Sequence, residues 1–163
     1  MLNGARLETH YDVIVAGAGP AGICAAIAAG RPGARTLLVE RFPFPGGEAV
    51  TALNLHGWYD NSEEHIVRGI PWEIILRLKE MHAAAESRFT DPQNPDRPLR
   101  HVRDVSIDRE AFIYVVLEML GEVNVDTLFH TFVSDVVMND DAVCGLALTN
   151  KAGTELVLGK VLV

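Results

Sequence analysis

The sequence predicts an α/β protein of the Rossmann-like, three-layer class, with a parallel sheet and a small antiparallel β-meander. Three observations carry that expectation. A β-forming run, a glycine turn and an alanine-rich run follow one another between residues 11 and 30. A second apolar strand comes directly after them. Residues 132–163 then alternate strand-like runs with turn signals.

Tyr11 to Ala16 reads as a buried strand and Pro20 to Gly30 as a helix whose small side chains allow close approach to a sheet. Arg31, Pro32 and Gly33 end that helix, and Thr36 to Val39 form a second strand that finishes at Glu40. From Arg41 to Asn61 the chain is broken by Pro43, Pro45, Gly46, Gly47 and Gly57, the pattern of a long loop. Pro71 stands at the first position of an amphipathic helix through about Ala85, with Trp72, Ile75, Leu78 and Met81 at helical spacing. Residues 87–105 are polar and proline-rich and read as an irregular surface excursion or a wide-tipped hairpin. Asp108 is placed to cap a helix through Leu120, closed by Gly121, and a strand at Asn124 to Phe129 follows. The meander runs Phe132 to Met138, Val143 to Leu148 and Leu156 to Val163. A single dinucleotide-binding domain over residues 1–163 accommodates all of these elements.

Composition narrows the function. Fourteen basic against 22 acidic side chains give a formal net charge of −8, which disfavours nucleic acid as a partner. The basic run Arg97, Arg100, His101 and Arg103 is flanked by Asp96 and Asp104 and reads as a solvated mixed-charge loop. Residues 13–30 carry no charge, but the internal order of strand, turn and helix argues against a membrane span. Glu8 and Asp12 stand where a signal peptide would be positive, so a cytoplasmic protein is expected. Cys24 and Cys144 form no CxxC pattern, and the six histidines form no metal motif, so no metal site is expected. Cys24, within the alanine-rich helix, reads as a packing residue.

The chemistry concentrates in GAGPAG. Gly17, Gly19 and Gly22 have GxGxxG spacing between a strand and a helix. Gly17 permits the tight turn, Gly19 bares the backbone to a pyrophosphate, and Gly22 allows the helix to pack close. Pro20 and Ala21 complete the turn, and the helix start stabilises phosphate through free N–H groups and the helix dipole. Glu40 ends the second strand 23 residues after Gly17, close to the offset of a carboxylate that takes a ribose hydroxyl pair. A carboxylate there disfavours the 2′-phosphate of NADP. Gly46 and Gly47 place a second stretch of bare backbone six residues beyond Glu40.

YDVIVAGAGPAGICAAIAA, LLVERFPFPGG, the helix from Pro71, the run from Val123 to Gly153 and the closing KVLV together resemble the N-terminal portion of FAD-dependent oxidoreductases with the glutathione-reductase type of FAD fold. That resemblance implies FAD as cofactor. It further implies that Gly17, Gly19, Pro20, Ala21 and Gly22 hold the pyrophosphate, Glu40 the adenosine ribose, Arg41 the adenine or phosphate side, and Gly46 and Gly47 the cofactor through their backbone. Backbone atoms of Val133 fall beside the adenine. In such proteins the last strand leads into an ATG-like turn and a region that completes the FAD site, whereas this sequence stops at Val163. The expectation is therefore a fold truncated at its C-terminal end, with a homo-oligomer or a partner chain completing the site. Thr51 and Asn54 line the flavin side or simply hydrogen-bond their own loop. His56, in the same loop, is a candidate proton donor or covalent flavin anchor. No catalytic acid or base and no small-molecule substrate can be named. An NAD-dependent dehydrogenase domain and a truncated, non-catalytic nucleotide-binding module stay open as alternatives.

Overall fold

The computed structural model describes the backbone of residues 7–51, 55–60, 62, 64–91 and 93–163, and their side chains except at 7–9, 87–91 and 94–103. Asn54 and the basic run Arg97, Arg100, His101 and Arg103 lie outside the described side chains. Two compact units are formed, one by Met1–Gly46 with Leu117–Val163 and the other by Gly47–Val116. The second unit is thus inserted in sequence between the two segments of the first.

The first unit is a six-stranded sheet. Strand β1 (Leu7–Ala16) leads into helix α1 (Pro20–Gly30) and strand β2 (Thr36–Val39), which lies parallel to β1 with Ile14 beside Leu37 and Val15 beside Leu38. Successive side chains alternate between faces. Ile14, Leu37 and Val39 therefore enter one core with Leu146, Leu148 and Val157, while Ile23 and Ile27 are buried on α1. All four residues of β2 are buried, as expected of a parallel strand covered on both faces.

In the second unit, helix α2 (Ile70–Glu80) begins with Pro71 in its first turn. It ends about a turn earlier than its periodicity suggests, because the capping Met81 leaves helical geometry and His82 takes φ 57°. Strands β3 (Ala84–Asp91) and β4 (Asn94–Ile107) form an antiparallel hairpin, the second of the two alternatives the sequence offered, with register shifts on either side of Thr90. Pro98 pairs opposite Thr90 at those shifts, a place where a strand tolerates a missing N–H. Helix α3 (Arg109–Glu122) is capped as expected, with Asp108 Oδ1 accepting the Ala111 N–H at 2.8 Å. It runs through Gly121 instead of stopping there.

Strand β5 (Asp126–Leu128) pairs parallel to β2, and strands β6 (Phe132–Asn139), β7 (Ala142–Asn150) and β8 (Gly153–Leu162) form the meander. The meander is not a separate layer. Strand β8 lies parallel to β1, giving the order β5-β2-β1-β8-β7-β6. Pairing extends past the strand end, where the Ala16 N–H donates to Val163 O at 2.8 Å and the Val163 N–H to Ile14 O at 2.9 Å. Joining one sheet removes the unpaired edge that β1 would otherwise leave next to the glycine turn.

Polar groups reinforce the β1–β8 and β1–β2 seams. Lys160 Nζ donates to Asp12 Oδ1 at 2.6 Å, and the Arg35 N–H donates to Asp12 Oδ2 at 3.0 Å. The Lys160 hydrogen bond, followed by that from Arg35, holds the Asp12 carboxyl below its ordinary value, and Asp12 in turn holds the Lys160 ammonium above its own. A carboxyl depressed on folding contributes stability above its unfolded pKa and loses it as pH falls through the folded value. Lys160→Met should therefore move the Asp12 midpoint upward in an NMR-followed carboxyl titration and narrow that acidic window. An unmoved midpoint would remove the pair from the structure. Among the described residues no helix is long and apolar enough to cross a membrane.

Candidate functional site

Everything the sequence marked around GAGPAG falls at the C-terminal ends of β1 and β2, where ligands of open parallel sheets bind. Gly17 takes φ 106°, a conformation that side chains rarely adopt, and its N–H donates to Val39 O at 2.8 Å. The turn is thereby tied to the end of the neighbouring strand.

Gly22 has a different reason to be glycine. A Cβ there would lie 1.9 Å from Gly17 O and 3.3 Å from Val15 Cγ1, so the first turn of α1 rests directly on the backbone of the glycine turn. Gly19, by contrast, has φ −72° and ψ 177°, ordinary for any residue, and a Cβ built on it meets no protein atom within 4 Å. Neither backbone geometry nor protein packing requires glycine at position 19. The space over its Cα is open among the described residues.

Gly19 is also the N-cap of α1 and supplies no side-chain cap. The Ile23 N–H closes the first helical bond onto Gly19 O at 2.9 Å, which leaves the N–H groups of Ala21 and Gly22 without intrahelical partners; Pro20, at the first position, has none to satisfy. These donors and the helix dipole favour a phosphate oxygen, and no acidic side chain stands in the first turn to oppose it.

Glu40 is buried, with 7% of its surface exposed, and is not the solvated strand end that a terminal Glu usually is. Its Oε2 accepts the Ala18 N–H at 2.7 Å and its Oε1 the Phe42 N–H at 2.9 Å. A carboxylate offers about four acceptor sites. Two are thus spent on the turn and on the residues after β2, and two remain for hydroxyl donors.

The backbone around Glu40 is joined to the β5–β6 connection. The Glu40 N–H donates to Leu128 O at 2.8 Å, the Thr131 N–H to Glu40 O at 3.0 Å, and the His130 N–H to Phe42 O at 3.2 Å. Val133 lies two residues beyond Thr131, pairs with Leu148 and packs its side chain against the sheet core. Arg41 is exposed, with its guanidinium 4.7 Å from the centroid of the Phe42 ring. Sequence reasoning missed Phe42, His130 and Thr131. No local motif marks them, since their partners are some 90 residues away in the chain.

Gly46 departs from its expected role. Its N–H donates to Ala18 O at 2.7 Å, so it fastens the returning loop to the glycine turn and is not a free donor. Gly47 takes φ 50° and opens a single 3-10 turn over Gly47–Val50 in the second unit. Thr51 Oγ1 donates within that turn, to Glu48 O at 3.3 Å, which is ordinary loop bonding. Cys24 is half-buried, and burial pushes its thiol up, away from thiolate chemistry.

Comparison with known proteins identifies the family. A family model described as FAD dependent oxidoreductase matches residues 12–163. Protein FixC of Escherichia coli strain K12 is 31% identical over 145 residues, which is 85% of this chain and 33% of FixC. Digeranylgeranylglycerophospholipid reductase 1 of Methanococcoides burtonii is 23% identical over 169 residues, 96% of this chain and 38% of that protein. Among solved structures, a geranylgeranyl bacteriochlorophyll reductase-like protein from Thermoplasma acidophilum superposes with a TM-score of 0.64 at 20% identity, covering 96% of this chain and 39% of the other. The chain spans about a third of the length of the curated relatives it matches.

Proposed function

The chain belongs to the FAD dependent oxidoreductase family and forms the FAD-binding portion of a flavin-dependent oxidoreductase, and from that premise we propose which of its residues hold the cofactor and what the rest of the protein must add. The observation that carries the assignment is the bare Cα of Gly19, unrequired by backbone or packing, at the start of a helix with unpaired N–H groups. Gly17, Gly19, Pro20, Ala21 and Gly22 cradle the pyrophosphate. Glu40 takes the adenosine ribose hydroxyls on its two remaining acceptor sites, and its negative charge selects against a 2′-phosphate. Arg41, on the Phe42 ring, covers the adenine or phosphate side, and the Val133 backbone borders the adenine. Gly46 acts indirectly, by holding the loop that continues into Gly47.

FAD supplies the redox chemistry, and the protein contributes binding, orientation and exclusion of water. The substrate we propose is a small molecule bound by protein outside these residues, furnished by further chain, by a partner chain or by a second copy. A cytoplasmic setting suits two free cysteines, Cys24 on α1 and Cys144 on β7.

Titration of the purified protein with FAD, followed by flavin fluorescence and checked by mass spectrometry of released nucleotide, tests the assignment. Saturable FAD binding that excess NAD does not displace is expected. Binding of NAD with no uptake of FAD would replace the flavin reading by a dehydrogenase domain, and uptake of neither would make the chain a module without cofactor.

A further inference from the structure

The second unit contains a proton-handling arrangement that the nucleotide site does not use. Leu55 and Val105 form an isolated antiparallel bridge and exchange both backbone bonds, Leu55 N–H to Val105 O at 2.9 Å and Val105 N–H to Leu55 O at 3.0 Å. In an antiparallel pair the next residues, His56 and Asp104, stand directly opposite without bonds of their own, with their side chains on one face at the closer spacing. His56 Nδ1 lies 2.5 Å from Asp104 Oδ1.

The two partners differ sharply in exposure. The Asp104 side chain is 1% exposed and that of His56 68%. Asp104 Oδ2 is buried and has no hydrogen-bond partner among the described residues. A buried carboxylate is costly to maintain. A neutral side chain at position 104 would serve as well if the bridge only needed a loop contact. What an ionised carboxylate adds is a fixed tautomer: it accepts the Nδ1–H, leaving a lone pair on Nε2, and it compensates the positive charge when Nε2 gains a proton.

We propose that His56 and Asp104 form a proton-accepting dyad whose working atom is the solvent-facing Nε2 of His56. Its ligand is an acidic phenol, whose phenolate delocalises the electron pair it keeps. The proton moves from the ligand heteroatom to Nε2, the ligand keeps the electron pair, and the imidazolium formed is paired with the Asp104 carboxylate. Asp104 is the positioning residue and His56 the acceptor. The inference is independent of the flavin assignment and stands or falls on the second unit alone.

The test uses the full chain labelled with 15N-histidine. In its neutral form the His56 ring should carry its proton on Nδ1 and none on Nε2, and the opposite tautomer would overturn the dyad. Carbethoxylation by diethyl pyrocarbonate, read by peptide mass spectrometry, should be at least about tenfold faster at His56 than in Asp104→Asn. Because that variant replaces a buried group and can fail to fold, exposed His82 in the unaltered protein serves as a second reference. Equal rates at His56 and His82 would refute activation. Below the pKa of free 4-nitrophenol, the protein should raise the phenolate absorbance of that probe, and His56→Gln should not. An equal absorbance with both proteins would leave a structural ion pair and no proton acceptor.

Discussion

Gly19→Ala is expected to leave the fold intact and remove FAD binding, whereas Gly22→Ala damages the fold itself. At position 19 the added methyl meets no protein atom within 4 Å and the backbone is already in a conformation alanine adopts. The stability cost is then limited to the poorer N-cap, about 1 kcal/mol. The same methyl occupies the space through which a pyrophosphate reaches the N–H groups of Ala21 and Gly22, and a loss of about 3 kcal/mol there is more than a hundredfold in affinity. At position 22 the methyl would lie 1.9 Å from Gly17 O. That atom is backbone in a constrained turn and cannot rotate aside, so the helix or the turn must shift, at about 1–3 kcal/mol or more. In a protein of this size such a cost lowers Tm by roughly 2–12 °C. Thermal unfolding without ligand, beside FAD titration, separates the two. Equal thermal losses in both variants would mean that Gly19 serves packing, and unchanged FAD affinity in Gly19→Ala would take the pyrophosphate away from the turn.

Glu40→Ala should lower stability and FAD affinity together. Removing the carboxylate leaves the buried Ala18 N–H without its acceptor, at about 1–3 kcal/mol, while the Phe42 N–H lies at a residue exposed enough for water to replace the bond. A loss of about 1–3 kcal/mol is expected in ligand-free denaturation. Glu40→Gln is not a benign replacement, because one of its two ends becomes an NH2 that faces an N–H. It should retain part of the stability and lose ribose binding, since the amide offers fewer acceptor sites. A Glu40→Ala protein as stable as the parent without ligand would show that the two backbone bonds are not formed. A stable variant with unaltered FAD affinity would take the ribose away from Glu40 as well.

The two variants expose a property of the site that a motif alone does not convey. Glu40 is an internal brace as well as the proposed ribose residue: its two oxygens hold the glycine turn and the chain after β2. Gly46 adds a third fastening through Ala18 O. These fastenings hold the proposed cradle in place without ligand, which would reduce the ordering cost of binding.

What the sequence determined by itself is local. The glycine turn, α1, β2, the Asp108 cap and the meander strands were all legible because each depends on neighbours in sequence: positive φ at Gly17, free N–H groups at a helix start, alternation along a strand. Glu40 was legible because its offset from the turn is set by one βαβ unit. Tertiary structure decided the rest. It placed β8 beside β1, chose a hairpin for the proline-rich residues after Ala84, spent the Gly46 N–H on Ala18, and brought Thr131 and His130 to the backbone of Glu40 and Phe42. It also set His56 opposite Asp104, 48 residues away, through a two-residue bridge that no periodicity marks. Hydrogen bonds between distant segments depend on sheet order and register, and a chain read locally carries neither.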